Sequence, residues 1–210
     1  GYTWTKNILQ ESGLVAKRSR HSKHRKRGRR KPLVGMMLHI DGSKHNWIPN
    51  LYNQKQTLIA IMDDANNDVY YAKLVPSENT RECMLALKHV IETKGLFCSI
   101  SSDRASQLFH TPKAGSKVDL STLTQIGRAM YELGIEMIPA YPLQAMGRSE
   151  RLFKTFQGRL PHEPKFHAIK TLHDANRYIL EPFLPWYRKN PLTTAPQGRI
   201  CLQPLPRKKS

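Results

Sequence analysis

The stretch QTLIAIMDDANNDVYYAKL, residues 56–74, decides the fold. Its first seven residues are a short run of apolar and β-branched side chains, so 56–62 reads as a buried strand rather than a helix. DDANND then supplies six residues of turn-forming types, and 69–74 (VYYAKL) returns as a second strand. Asp63 and Asp64 have the composition of a solvated turn, and that reading is preferred to a metal site. Upstream, 36–40 (MMLHI) is another short buried strand, and it runs into Asp41-Gly42-Ser43, a turn sequence that places Asp41 at a strand end. The three strands form an antiparallel meander.

Downstream the periodicity changes. Ser77 or Asn79 caps a helix with Met84, Leu87, Val90 and Ile91 on one face, and Gly95 closes it. Residues 96–100 form a fourth strand that enters Ser101-Ser102-Asp103, again an acid at a strand end. After a Pro- and Gly-containing loop, Ser121 caps a helix carrying Leu123, Ile126, Met130 and Leu133, and Gly134 stops it. A fifth strand at 135–139 leads into a helix over 142–160. There Leu152, Phe153, Phe156 and Leu160 share one side, and Glu150, Lys154 and Gln157 share another. Three strands followed by helix, strand, helix, strand, helix describe an α/β domain, a mixed five-stranded sheet flanked by helices. This domain spans 33–161, between a 1–32 segment and a 162–210 segment that holds one helix, interrupted by Pro182 and Pro185, and a Pro-rich basic tail.

Charge divides the chain as sharply as periodicity does. The formal net charge of the 210 residues is +18. Between Lys17 and Lys31, ten of fifteen residues are basic: Lys17, Arg18, Arg20, Lys23, Arg25, Lys26, Arg27, Arg29, Arg30 and Lys31. Such a block repels itself and binds a polyanion, so nucleic acid is the expected partner. No amphipathic apolar face accompanies it, which argues against a membrane surface. The absence of a signal peptide and of a spanning apolar run predicts a cytoplasmic, nucleoid-associated protein. Cys83, Cys98 and Cys201 are too widely spaced for a zinc motif or a disulfide framework. Residues 3–14 read as a short helix with a stripe of Trp4, Ile8 and Leu9, either like the last helix of a helix-turn-helix, as expected of a fragment of a longer protein, or a helix docked on the main domain.

Asp41, Asp103 and Glu150 are the acids placed to meet: two at the ends of strands and one on a helix packed beside them. Such a carboxylate set suits hard cations, for which Mg²⁺ prefers oxygen ligands. His39 and His45 flank Asp41, but their six-residue offset suits packing and solvent contacts better than zinc. Ser43, Ser106 and Ser149 lack the His and acid partners of a nucleophile.

Around these acids the motifs HIDGSKH, SSDRASQLF, TPKAGSKVD, LTQIGRAMYELGIEMIPAY and QAMGRSERLFKTFQGRLP occur in order across 33–161. In them the chain resembles bacterial insertion-sequence transposases of the ISNCY group, within the retroviral-integrase superfamily. GYTWTKNILQESGLVAK is similar to the junction with that group's N-terminal DNA-binding region. The resemblance implies a ribonuclease H-like fold and an Asp-Asp-Glu triad at Asp41, Asp103 and Glu150 that holds two Mg²⁺ ions, with Mn²⁺ as a substitute. It implies a polynucleotidyl transferase that cleaves and joins DNA, acting on transposon ends and target as a homo-oligomer. On this reading Arg148, Arg151, Lys154 and Gln157 meet DNA beside the triad, and the 17–31 arm binds phosphates without reading sequence. Ala105 stands where the group has Gly, which predicts strain if the turn requires a positive φ. A metal-dependent nuclease and a binding-only copy are the alternatives.

Overall fold

A computed structural model describes residues 2–15, 30–51, 55–113, 116–140, 143–189 and 200–204. Eight of the ten arm cations (Lys17, Arg18, Arg20, Lys23, Arg25, Lys26, Arg27 and Arg29) lie outside the described residues. The N-terminal helix α1 (Tyr2–Glu11) leaves Trp4 and Ile8 exposed.

The sheet contains β1 (Leu38–His45), β2 (Gln56–Asp63), β3 (Val69–Val75), β4 (Ser99–Ser102) and β5 (Glu136–Pro139), in the order β3-β2-β1-β4-β5. The first three strands are an antiparallel meander, and β4 and β5 are added parallel to β1. Parallel neighbours require crossovers, which here contain α2 (Thr80–Lys94) and α3 (Gln125–Glu132). This strand order and these connections are the ribonuclease H-like fold.

Both faces of the sheet are covered, which is why all eight residues of β2 are buried. On one face Ile40, Ile59 and Ile61 pack with Leu87 and Val90 of α2 and with Ile126 and Met130 of α3. On the other, Leu58, Ala60 and Met62 meet Leu152, Phe153 and Phe156 of α4 (Leu143–Arg159). The same core takes in Phe166 of α5 (Pro164–His167), Ala175 of α6 (Leu172–Tyr178), and Leu184 and Tyr187 of α7 (Leu184–Lys189). Phe156 stands edge-on to both Phe183 and Tyr187. Pro182 falls within a wider π-helical turn, Ile179–Phe183, that carries the chain from α6 into α7.

Several boundaries differ from the sequence expectation. β1 does not stop at Asp41-Gly42-Ser43: those residues pair with Ala60, Ile59 and Leu58, because a long β2 extends the ladder through a locally turn-like sequence. β4 starts at Ser99 rather than Leu96, whose backbone instead exchanges two hydrogen bonds with Gln203. Thr124, not Ser121, caps α3 by accepting from the Gly127 N–H, while the Ser121 hydroxyl is bound to Asp119. Part of the stretch read as a tail is paired into the fold, since Cys201 N–H also donates to the Val34 carbonyl. Gly95 closes α2 as expected, at φ 97°, and a Cβ there would lie 2.4 Å from the Gln203 carbonyl oxygen.

Candidate active site

Side chains alternate along β1, so His39, Asp41 and Ser43 face the same way. Each is tied to the elements packed on that face. The Ser149 side chain of α4 is hydrogen-bonded to Asp41. Two turns on, Gln157 Nε2 donates to Ser43 Oγ at 3.1 Å. The helix therefore runs along the strand that carries the first acid.

Asp103 arrives from the neighbouring strand. His39 is paired with Ser101 in the parallel β1–β4 ladder. Two residues further along the same register, Asp103 follows the end of β4 beside Asp41. The two acids line one small cleft with Ile40, Ser101, Ser102, Ala140 and Ser149. Burial, and then the Asp103 charge, push the Asp41 carboxyl up to about 7, with Glu78 adding in the same direction. The Gly42 N–H and Ser149 oppose the shift by bonding to the carboxylate. Asp103 Oδ1 accepts from the Ala105 N–H at 3.2 Å. Among the described residues the only non-glycine with positive φ is Asn67, so Ala105 occupies its turn without the strain predicted for it.

Glu150 stands apart from this pair. It is exposed on α4, immediately after the Ser149 that reaches Asp41. Among the described residues no three His, Cys, Asp or Glu side chains converge as a metal-holding group. The structure thus brings Asp41 and Asp103 together and leaves Glu150 outside. The donor chemistry of the pair fits a hard divalent cation: both groups are carboxylates, and burial together with the Asp103 charge disfavours the ionised form of Asp41 when no cation is present.

Asp63 and Asp64 are not solvated. Both are fully buried, because their acceptors are filled from distant parts of the chain. Asp63 accepts from the Gly35 and Ala65 N–H groups and from the Tyr70 hydroxyl. Asp64 accepts from the Lys31 N–H, bonds His39 Nε2 at 2.7 Å, and forms an ion pair with Arg148. His39 is correspondingly buried rather than solvent-facing. Burial and the nearby Arg148 charge lower its pKa to about 4, so at neutral pH the uncharged ring donates to Asp64. His45 packs edge-on to Trp47.

The residues expected to meet DNA divide into two groups. Arg151 and Lys154 are exposed on α4. Arg148 is paired with Asp64, Gln157 is bonded to Ser43, and Arg30 Nη1 donates to the Ala65 carbonyl. Lys31 is held through its backbone.

Glu78 was not singled out from the sequence. It precedes α2, accepts from Gln107 Nε2 at 2.7 Å, and lies so close over Gly42 that a Cβ there would collide with its carboxylate. The glycine after Asp41 was the available signal.

Two curated proteins are similar to this chain. The Sinorhizobium fredii protein y4bF, described as a transposase, is 30% identical over 198 residues, covering 94% of this chain and 42% of that protein. The transposase for insertion sequence IS1202 of Streptococcus pneumoniae is 30% identical over 152 residues, covering 72% of this chain and 32% of that protein. The chain is distantly related to bacterial transposases. It spans less than half the length of either relative. No protein-family model matches it. Among solved structures, a chain of the simian T-cell lymphotropic virus intasome in complex with PP2A regulatory subunit B56 gamma has a TM-score of 0.48 at 20% identity, covering 95% of this chain and 71% of that one. The HTLV-2 integrase catalytic core domain in complex with magnesium, in its trimeric form, has a TM-score of 0.46 at 15% identity, covering 72% of this chain and 88% of that one.

Proposed function

We propose that this chain is the catalytic core of a DNA transposase of the ISNCY group, cutting DNA strands and joining the ends by metal-dependent phosphoryl transfer. The observation that carries the reading is the Asp41–Asp103 pair, set by register on adjacent parallel strands beside α4. Asp41 and Asp103 would hold one Mg²⁺ or Mn²⁺ ion, and Glu150 with one of them a second. Such ions, when bound, supply Lewis-acid stabilisation of charge at the scissile phosphate. The chain's own contribution is placement. The Gly42 N–H and Ser149 hold the Asp41 carboxylate, and the Ala105 N–H holds that of Asp103. Arg151, Lys154 and the arm would neutralise DNA phosphates, and copies of the chain would assemble on transposon ends and target.

The test is cleavage and strand transfer on a DNA end with Mg²⁺, Mn²⁺ or Ca²⁺. Mg²⁺ and Mn²⁺ are expected to support both reactions, and Ca²⁺ binding alone. Asp103→Ala should abolish chemistry and leave DNA binding intact, and retained cleavage in that variant would overturn the reading. Exposure of Glu150 favours a second reading, a copy that binds DNA without cutting it. Turnover with Mg²⁺ excludes that reading, and joined products exclude a nuclease that only cuts.

A further inference from the structure

Asp64 is a fully buried carboxylate whose partners come from three separate segments. Lys31 ends the basic stretch, His39 lies two residues before Asp41, and Arg148 lies two residues before Glu150. A buried charge adds little stability over an apolar residue of similar size, since desolvation offsets most of the attraction. What such a group does enforce is geometry, because each partner must sit where the one carboxylate is. The Asp64 N–H is itself fixed by the Met37 carbonyl, 3.0 Å away, so the backbone of the residue belongs to the sheet and its carboxylate is the part shared among the partners. On one side Lys31 N–H meets Oδ2, with Arg30 bound to the next carbonyl, that of Ala65. On the other side Oδ1 receives His39 and Arg148. The two oxygens therefore join the end of the basic stretch to the strand of Asp41 and to the first half of α4.

We propose that Asp64 is a positioning residue that couples DNA held by the basic stretch to the placement of α4, and through it of Glu150. This rests on the transposase reading. A pull on the Lys31 backbone is passed to the carboxylate that holds Arg148, and Glu150 is two residues from that arginine. Removing the coupling alters how well α4 is seated when DNA is bound, and only secondarily how tightly DNA binds. Partners that orient metal-binding residues in this way change activity by about 10- to 100-fold when removed.

The test follows amide hydrogen exchange of residues 148–157, with and without a transposon-end duplex and with no divalent metal present. Three variants cut the connection at different points. Asp64→Asn removes the charge, Arg148→Met removes the contact of α4 with Asp64, and Lys31→Pro deletes the N–H donated to Asp64. Lys31→Ala keeps that N–H and removes only the side chain. DNA is expected to slow exchange in the wild type and in Lys31→Ala, and to bind the other three variants without slowing it. Saturated cleavage in Mg²⁺ should fall about 10- to 100-fold in Asp64→Asn and Arg148→Met. If Asp64→Asn does not fold, Lys31→Pro compared with Lys31→Ala still decides the matter. Slowed exchange in all the variants, or unslowed exchange in a wild type that binds DNA, overturns the coupling alone. Slowed exchange without any Mg²⁺-dependent cleavage overturns the transposase reading, while a wild type that binds no DNA overturns both.

Discussion

Gln157 donates its side-chain amide to the hydroxyl of Ser43 at 3.1 Å, two residues along β1 from Asp41. With the Ser149 contact to Asp41, this bond fixes the direction in which α4 crosses the acidic cleft. Removing a half-buried hydrogen bond costs about 0.5–1.5 kcal/mol. Gln157→Ala and Ser43→Ala should each lower stability to urea by that amount, and the double variant should lose little more than either one. Losses that add in full would show the bond to be idle.

The raised Asp41 carboxyl makes the metal-free protein sensitive to pH. Its folded value of about 7 lies above the ordinary carboxylate range, so the folded state binds the proton more tightly than the unfolded state does. The associated stability is complete below pH ~4 and is lost as pH rises toward 7. Asp41→Asn mimics the protonated form. It should therefore stabilise the metal-free protein at pH 8 and leave it nearly unchanged at pH 4, as read from melting temperature. Mg²⁺ should raise the melting temperature of the wild type more at pH 8 than at pH 5. An equal effect of Asp41→Asn at both pH values would show that the carboxyl is not strained by burial and by Asp103.

Asp63 answers for the segment that leads into β1. Asp63→Ala would leave the Gly35 N–H, the Ala65 N–H and the Tyr70 hydroxyl without their acceptor in the interior. Each such group costs about 1–3 kcal/mol, so a loss of about 3 kcal/mol or more is expected in denaturant titration. A loss below about 0.5 kcal/mol, typical of a surface change, would restore the solvated-turn reading.

How far the fold and site could be read in advance follows from the range of the interactions involved. The strands at 56–62 and 69–74 and the apolar sides of α2 and α4 were legible because burial stamps a period of two or 3.6 on neighbouring residues. Asp103 was legible as an acid just past a strand end, whereas Asp41, read at a strand end, lies within β1. Asp63-Asp64 was misread because DDANND is polar by composition, and its burial depends on Lys31, His39 and Arg148, which only the fold brings near. For the same reason β1 runs on through Asp41-Gly42-Ser43: partners in β2 override local turn preference. Glu78 left only an indirect trace, a glycine beside the first acid.

The exposed side of α4 provides the last prediction. Glu150 and Lys154 are one turn apart, yet no ion pair joins them among the described residues, so the spacing does not produce the surface pair that it permits. Lys154 is instead an exposed cation downstream of Ser149 on the helix that borders the Asp41–Asp103 cleft. If this side meets the DNA backbone, Lys154→Ala should weaken binding to all sequences alike and reduce the slope of log K against log salt by about one unit. Deleting residues 17–31 should reduce it by about five, for about six of ten cations on phosphates. Stability should change by no more than a few tenths of a kcal/mol in Lys154→Ala, as for a surface charge without a partner. Anisotropy titrations at three salt concentrations check both slopes, and an unaltered affinity of Lys154→Ala at low salt would remove this face of α4 from the DNA interface.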